Sequence, residues 1–383
     1  MLNRLKILFI TAWYPNSKNP MDGVFVRDHA KSVVEFDDAI VIHLSGPSHT
    51  GKLWELETET DHSLSEGIPT YHLSTRKLPI PGLTYLIFLW AIWRVFCLFR
   101  NKGFLPDIIH AHIYSTGVPA VIIGNLYHIP VVITEHSTAF PRKALSRQQL
   151  WKARFAFHYA DRVIVVSHSL QTAIKNFSIQ AKFQIISNAV DQNIFYPSTP
   201  PHIVGLRKRL LFVNRLIFIK GLEDLLKSLT ILDIHRKDWH LDIVGDGRLK
   251  SECEQLVTLL GLDEKITLHG YLSKQTIAEI MRQSDIFILP SHIETFSVVA
   301  AEALACGLPV LSTRCGGPEE FITPDVGKLV PVNDPKSLGA ELLSMLDHLD
   351  QYKQNHIVEY ATSLFSLSTI GTKIHNIYTM LSD

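Results

Sequence analysis

Short apolar runs alternate along this chain with longer stretches of helical spacing. Ile7–Ala12, Ile108–Ala111, Val131–Thr134 and Arg162–Val166 are largely continuous in polarity, which predicts parallel strands buried on both faces. The pattern pauses after Ile185–Ala189, and Asp191–Pro201, rich in Asn, Pro, Ser and Thr, predicts an interdomain linker. A second series of strands is predicted at Leu210–Val213, His240–Val244, Lys265–Leu268, Ile286–Leu289 and Pro309–Ser312. Most of these precede a turn signal and a helical stretch. Strand-then-helix order implies an α/β class with doubly wound sheets. The expectation is two Rossmann-like domains in tandem, 1–189 and 190–365. Ile370, Ile374, Ile377, Tyr378 and Leu381 fall at helical spacing, and this last helix, about 366–383, is expected to pack back on the first domain.

Composition narrows the partners. A chain of 383 residues fits two domains, and a hydrophobic share of 46% supplies two cores. Basic and acidic residues balance at 37 each, so no basic excess calls for a nucleic-acid partner. Cys97, Cys253, Cys306 and Cys315 form no CxxC pair and no zinc-like spacing with histidine, which reads as reduced, buried thiols of a cytoplasmic protein with no metal site. The apolar run at Ile7–Ala12 is short and lacks a small-residue cleavage site, so a buried first strand is expected rather than a signal peptide.

Leu83–Phe99 stands apart. It is nearly all apolar and aromatic, shorter than the ~20 residues of a membrane span, and interrupted by Arg94. Two readings are open: a helix buried in the first domain, or an interfacial helix with Trp90 and Trp93 as anchors and Arg100 and Lys102 as basic flanks.

Four groups carry candidate chemistry. Arg215 and Lys220 lie between the strand Leu210–Val213 and a helix opened by Gly221. Free N–H groups, the helix dipole and two cations then favour an anion, although solvated loop cations would give the same spacing. Glu294 lies in a loop and Glu302 in the helix after it, among Val298, Val299, Ala305 and Cys306. A carboxylate in such apolar company needs a cation or hydroxyl partner, and a ribose diol would serve. Gly245-Asp246-Gly247 and Gly316-Gly317 follow strands, where open α/β sheets bind ligands. Either turn fits close approach to a phosphate or an ordinary tight bend; neither is a GxGxxG or a Walker loop. His136 follows the strand Val131–Thr134 and is a candidate for a sugar hydroxyl or for proton traffic, whereas His110 and His112 read as structural.

Taken in order, Arg215, Lys220 and Gly221, then Gly245-Asp246-Gly247, Pro290–Ser297, Glu302, Gly307-Leu308-Pro309-Val310 and Gly316-Gly317-Pro318-Glu319 resemble glycosyltransferase family 4. Trp13-Tyr14-Pro15, Gly23–Arg27 and the hinge-like Asn188–Asp191 extend the resemblance over most of the chain. The resemblance implies the GT-B fold, two Rossmann-like domains facing a cleft, and a retaining, metal-independent hexosyl transfer. It implies no cofactor beyond the UDP- or GDP-linked donor sugar. Arg215 and Lys220 would hold the diphosphate, Glu302 the ribose and Glu294 the sugar. Phe296, Ser297 and Val298 would contribute backbone amides, Gly245 and Gly247 would line the donor site, Gly23 would sit near the phosphates, and His136 would face the sugar. The expected acceptor is a carbohydrate or a lipid-linked hydroxyl, met by a cytoplasmic protein on the inner face of the membrane through Leu83–Phe99. A nucleotide-sugar epimerase or hydrolase and a degenerate binding scaffold are the rival readings. Asn214 and Ala189 stand where the family usually has glycine; Asn tolerates left-handed geometry, and Ala189 would be strained if it needed positive φ.

Overall fold

The computed structural model describes residues 4–48, 52–200, 202 and 204–382. Residues 1–3 and 383 of the expected domains, and Pro201 at the end of the expected linker, lie outside the described residues. Two units result: Met1–Ala189 with Leu367–Asp383, and Val190–Ser366.

The strands of the first unit are β1 (Lys6–Thr11), β2 (Asp38–Pro47), β3 (Trp54–Thr58), β4 (Thr70–Thr75), β5 (Ile108–His112), β6 (Val131–Glu135), β7 (Arg162–Val165) and β8 (Phe183–Ile185). They form one sheet in the order β3-β4-β2-β1-β5-β6-β7-β8. All pairings are parallel except the edge pair β3–β4. Between the strands run α1 (Val24–Val34), α2 (His62–Ser65), α3 (Pro81–Asn101), α4 (Tyr114–Tyr127), α5 (Arg147–Tyr159) and α6 (His168–Lys175). Central strands such as β5 and β6 are buried at every position, as continuous apolar runs require.

The second unit contains β9 (Lys208–Val213), β10 (Trp239–Val244), β11 (Ile266–Gly270), β12 (Ile286–Leu289), β13 (Val310–Thr313) and β14 (Gly327–Val330). Its order, β11-β10-β9-β12-β13-β14, is wholly parallel and is that of a dinucleotide-type Rossmann sheet. The helices are α7 (Leu222–His235), α8 (Lys250–Leu259), α9 (Lys274–Arg282), α10 (Val298–Ala305), α11 (Pro335–Asp347) and α12 (Gln354–Phe365). Strand order reverses between β9 and β12 here, and between β1 and β5 in the first unit.

After α12 the chain returns to the first unit as α13 (Leu367–Ser382). Leu367, Ile370, Ile374, Ile377 and Tyr378 join Ile7, Phe9 and Val33 in one core. Gly371 permits the approach, since a Cβ there would lie 2.2 Å from the carbonyl oxygen of Ser32 in α1.

α3 corrects the reading of Leu83–Phe99 in two ways. The helix runs over 21 residues, Pro81–Asn101, and its segment Gly82–Asn101, 20 residues, is long and apolar enough to cross a membrane by length and composition. Its second half is nevertheless core: Ala91, Ile92, Val95, Phe96 and Phe99 are buried, and Trp93 Nε1 donates to the Tyr127 hydroxyl of α4 at 3.1 Å. In its first half Leu83, Leu86 and Trp90 are exposed. The helix is thus part core and part surface.

Candidate functional site

The strand order reverses between β9 and β12, and the carboxyl ends of strands at such a reversal are where open α/β sheets bind ligands. The loops that follow these two strands press backbone on backbone. Gly221, the residue before α7, has φ 67°, and a Cβ there would lie 1.9 Å from the Pro290 carbonyl oxygen. Only glycine satisfies both demands. His292 N–H donates to the Ile219 carbonyl at 2.8 Å, and its ring holds Asp224 of α7 at 2.7 Å.

This seam brings Lys220 and Glu294 together: Nζ lies 2.7 Å from Oε1, with both side chains almost fully buried. Ser291 Oγ donates to the same carboxylate oxygen at 2.8 Å. Lys220 is therefore not an open loop cation but half of a buried ion pair. Glu294 is fixed from behind as well, since its N–H donates to the Cys315 carbonyl at 2.8 Å and its carbonyl accepts from Gly317 N–H at 3.0 Å. Gly317 lies against Phe296, where a Cβ would meet Cα at 2.4 Å.

α10 starts two residues after Phe296, at Val298. Phe296 is buried against Phe321 and Phe365, so its side chain belongs to the core and only its backbone borders the loop. Ser297 then adopts φ 78°, a left-handed strain that a non-glycine residue tolerates only when its surroundings enforce it. Its hydroxyl does not cap the helix and is buried with no partner among the described residues. The first amides of α10, beginning at Val298, thus have no side-chain cap among the described residues, an arrangement that suits an anion.

Glu302, buried one turn on, has its partner in Lys274 of α9, at 3.2 Å. Sequence reasoning required a cation or hydroxyl there but had no signal for which. Arg215 is exposed. Gly245 and Gly247 make the close approach expected of them, but to the neighbouring loop: their Cβ atoms would lie 1.8 Å from the Asn214 carbonyl oxygen and 2.4 Å from that of Leu216. Asn214 and Ala189 both avoid positive φ, so neither departure from glycine causes strain. Asn214 Oδ1 accepts from Arg215 N–H at 3.0 Å.

In the first unit His136 follows β6 and is buried. Its Nε2 lies 3.0 Å from Nδ1 of His112, the two rings stack at 9°, and His29 of α1 stands edge-on to both. Burial pushes all three imidazoles down, His29 to about 4, so the cluster is neutral. Among the described residues this trio is a group that could hold a metal ion, its ligand atoms lying within 4.8 Å of one another. His112, expected to be structural, therefore shares the His136 cluster, while His110 bonds Tyr378 and Thr134. Glu135 positions the loop: its carboxylate accepts from the N–H groups of Tyr114, His136 and Ser137. Gly23 precedes α1 at φ 61° and lies against the backbone of Trp13.

Two family models match in tandem, "Glycosyltransferase Family 4" over residues 38–193 and "Glycosyl transferases group 1" over 201–363. The chain is 28% identical to an uncharacterized glycosyltransferase of Methanocaldococcus jannaschii, over 70% of this chain and 72% of that one. It is 25% identical to a Bacillus subtilis glycosyltransferase named for teichuronic acid biosynthesis, TuaC, over 98% of both chains. Among solved structures, Anabaena HepE in complex with UDP superposes with a TM-score of 0.78 at 22% identity, covering 98% of this chain and 100% of that one.

Proposed function

We propose, from the premise that this chain belongs to the family 4 glycosyltransferases and has the GT-B fold, that it moves a hexosyl unit from a UDP- or GDP-linked sugar to a hydroxyl acceptor with retention of configuration. The observation that carries this reading is the buried Lys220–Glu294 pair at the β9/β12 reversal, beside the uncapped start of α10. A nucleotide diphosphate needs positive charge as its bond to the sugar breaks, and Arg215, Lys220 and the α10 amides would supply it. The mechanism therefore asks no metal to assist the leaving group. Glu294, held by Ser291 and Lys220, offers its remaining acceptor capacity to the sugar hydroxyls. Glu302, held by Lys274, offers the same to a ribose diol. The resemblance carries His136 as a catalytic residue of the first unit; kept neutral by burial, it would act as a hydrogen-bonding partner. The acceptor oxygen attacks on the face the leaving group departs from, and its proton passes to the diphosphate oxygen whose bond to the sugar breaks. The full-length likeness to TuaC supports a place in polysaccharide or glycolipid assembly, and the exposed half of α3 supports work at the cytoplasmic face of a membrane.

The test is a metal-free thermal-shift titration with UDP, GDP, ADP and their sugars, on wild type and Glu302→Ala. A nucleotide at ~100 times its Kd stabilises by about 2.7 kcal/mol. A shift with one nucleotide that vanishes in the variant is the expected result. No shift with any of them sinks the donor assignment, and release of free sugar or an epimer without acceptor transfers the reading to the epimerase or hydrolase class.

A further inference from the structure

α3 and α5 border a second feature that the donor site does not use, a hollow open to the surface. A cavity of about 790 Å³ lies between them, within the ~300–1,000 Å³ of small-molecule sites. Its walls are aromatic: Tyr85 and Phe88 from α3, Trp151 from α5. Arg147 and Lys152 of α5 also line it, and no acidic side chain does among the described residues. In a chain whose formal charge is balanced, that is a local excess of positive charge. Lys152 Nζ sits 3.6 Å from the centre of the Tyr85 ring and has no carboxylate partner among the described residues. The Tyr85 hydroxyl is shut off from solvent with no hydrogen-bond partner among the described residues.

The surroundings are equally unusual. Leu83, Leu86 and Trp90 of α3 are exposed, as are Trp151 and Tyr159 of α5; Trp151 is 60% exposed and stacks on Phe155 at 5.6 Å. Exposed aromatics interleaved with Arg147, Lys152 and Arg154 are the composition of a membrane–water interface. The second half of α3 is locked in the core, so this helix lies along a surface instead of spanning a bilayer.

We propose that the α3–α5 chamber binds the lipid of a membrane-held acceptor, its apolar chain between Tyr85, Phe88 and Trp151 and its phosphate against Arg147 and Lys152. The acceptor role rests on the glycosyltransferase reading; the lipid site stands on the chamber. A bare hydrocarbon would leave both cations unused, and an uncharged saccharide, although it can stack on aromatic rings, offers no anion to Arg147 and Lys152.

The test is flotation of the full chain with phosphatidylcholine vesicles carrying a long-chain polyprenyl phosphate, beside vesicles of phosphatidylcholine alone and vesicles matched in charge with phosphatidylglycerol. Wild type should float with the polyprenyl phosphate vesicles and several-fold less with either of the others. The double variant Arg147→Ala/Lys152→Ala should partition about thirty-fold more weakly, at about 1 kcal/mol per basic residue near a membrane surface. Its nucleotide-induced thermal shift should match wild type, which shows that it is folded. Equal flotation with the two charged vesicles, or of variant and wild type, overturns the proposal. A wild type that floats as expected but gives no nucleotide shift leaves the lipid site standing and removes the glycosyltransferase reading.

Discussion

Replacing Lys220 by alanine tests the site at its centre. Unit charges 2.7 Å apart attract by about 6 kcal/mol at an effective dielectric of about 20. Most of that offsets the desolvation of two buried ions, so the pair itself adds little net stability. Removing one partner is different, because Glu294 is left buried and charged, which costs roughly 3–5 kcal/mol. Ser291 Oγ still donates to the stranded oxygen at 2.8 Å, which places the expected loss near the lower end, about 3 kcal/mol. The assay is urea unfolding, with turnover measured in parallel. Lys220→Ala should lower the midpoint, and Lys220→Ala/Glu294→Ala should regain most of the loss by deleting the orphaned charge. Turnover should be at least ~10²–10³-fold down in both, since the charge facing the leaving group is gone, and lower still in the double variant, which also lacks the carboxylate offered to the sugar. A double variant less stable than Lys220→Ala, or a single variant with the wild-type midpoint, refutes the buried pair.

Gly221→Ala should lose more stability than Gly261→Ala, although both glycines have φ 67°: a Cβ at 221 would collide with Pro290 O, whereas nothing lies within 4 Å of one at 261. Thermal melts that rank the two equally would show that the loop seam gives way without cost. Glu135→Ala should cost at least ~1–3 kcal/mol, because the N–H groups of Tyr114, His136 and Ser137 lose their acceptor. An unchanged unfolding midpoint would show that those amides find other partners.

Much of the fold was legible because parallel strands covered on both faces have to be apolar throughout. Ile286–Leu289 is a strand over the whole predicted run, and Leu210–Val213 is extended only at its start, by Lys208 and Arg209. Trp54–Thr58 and Thr70–Thr75 form an edge ribbon whose residues alternate in polarity, so no continuous run marks them. Lys220 and Glu294 each carry a sequence signal, but their contact does not, since it depends on β9 and β12 being neighbours across 74 residues. Lys274 is one lysine among many until α9 brings it to Glu302. His29 is likewise an ordinary helical residue in the sequence, and only the packing of α1 against the sheet puts its ring beside His112.

The return of α13 also bears on the order in which the molecule is made. A nascent chain that has just passed Ser366 contains every residue of the second unit, yet the first unit still lacks the helix that closes its core. Multidomain chains generally fold from the amino terminus as they leave the ribosome. Here the unit begun before the other is completed after it: Ile7, Phe9 and Val33 wait for Ile370, Ile374 and Tyr378, with apolar surface open to chaperones through the whole synthesis of the second unit.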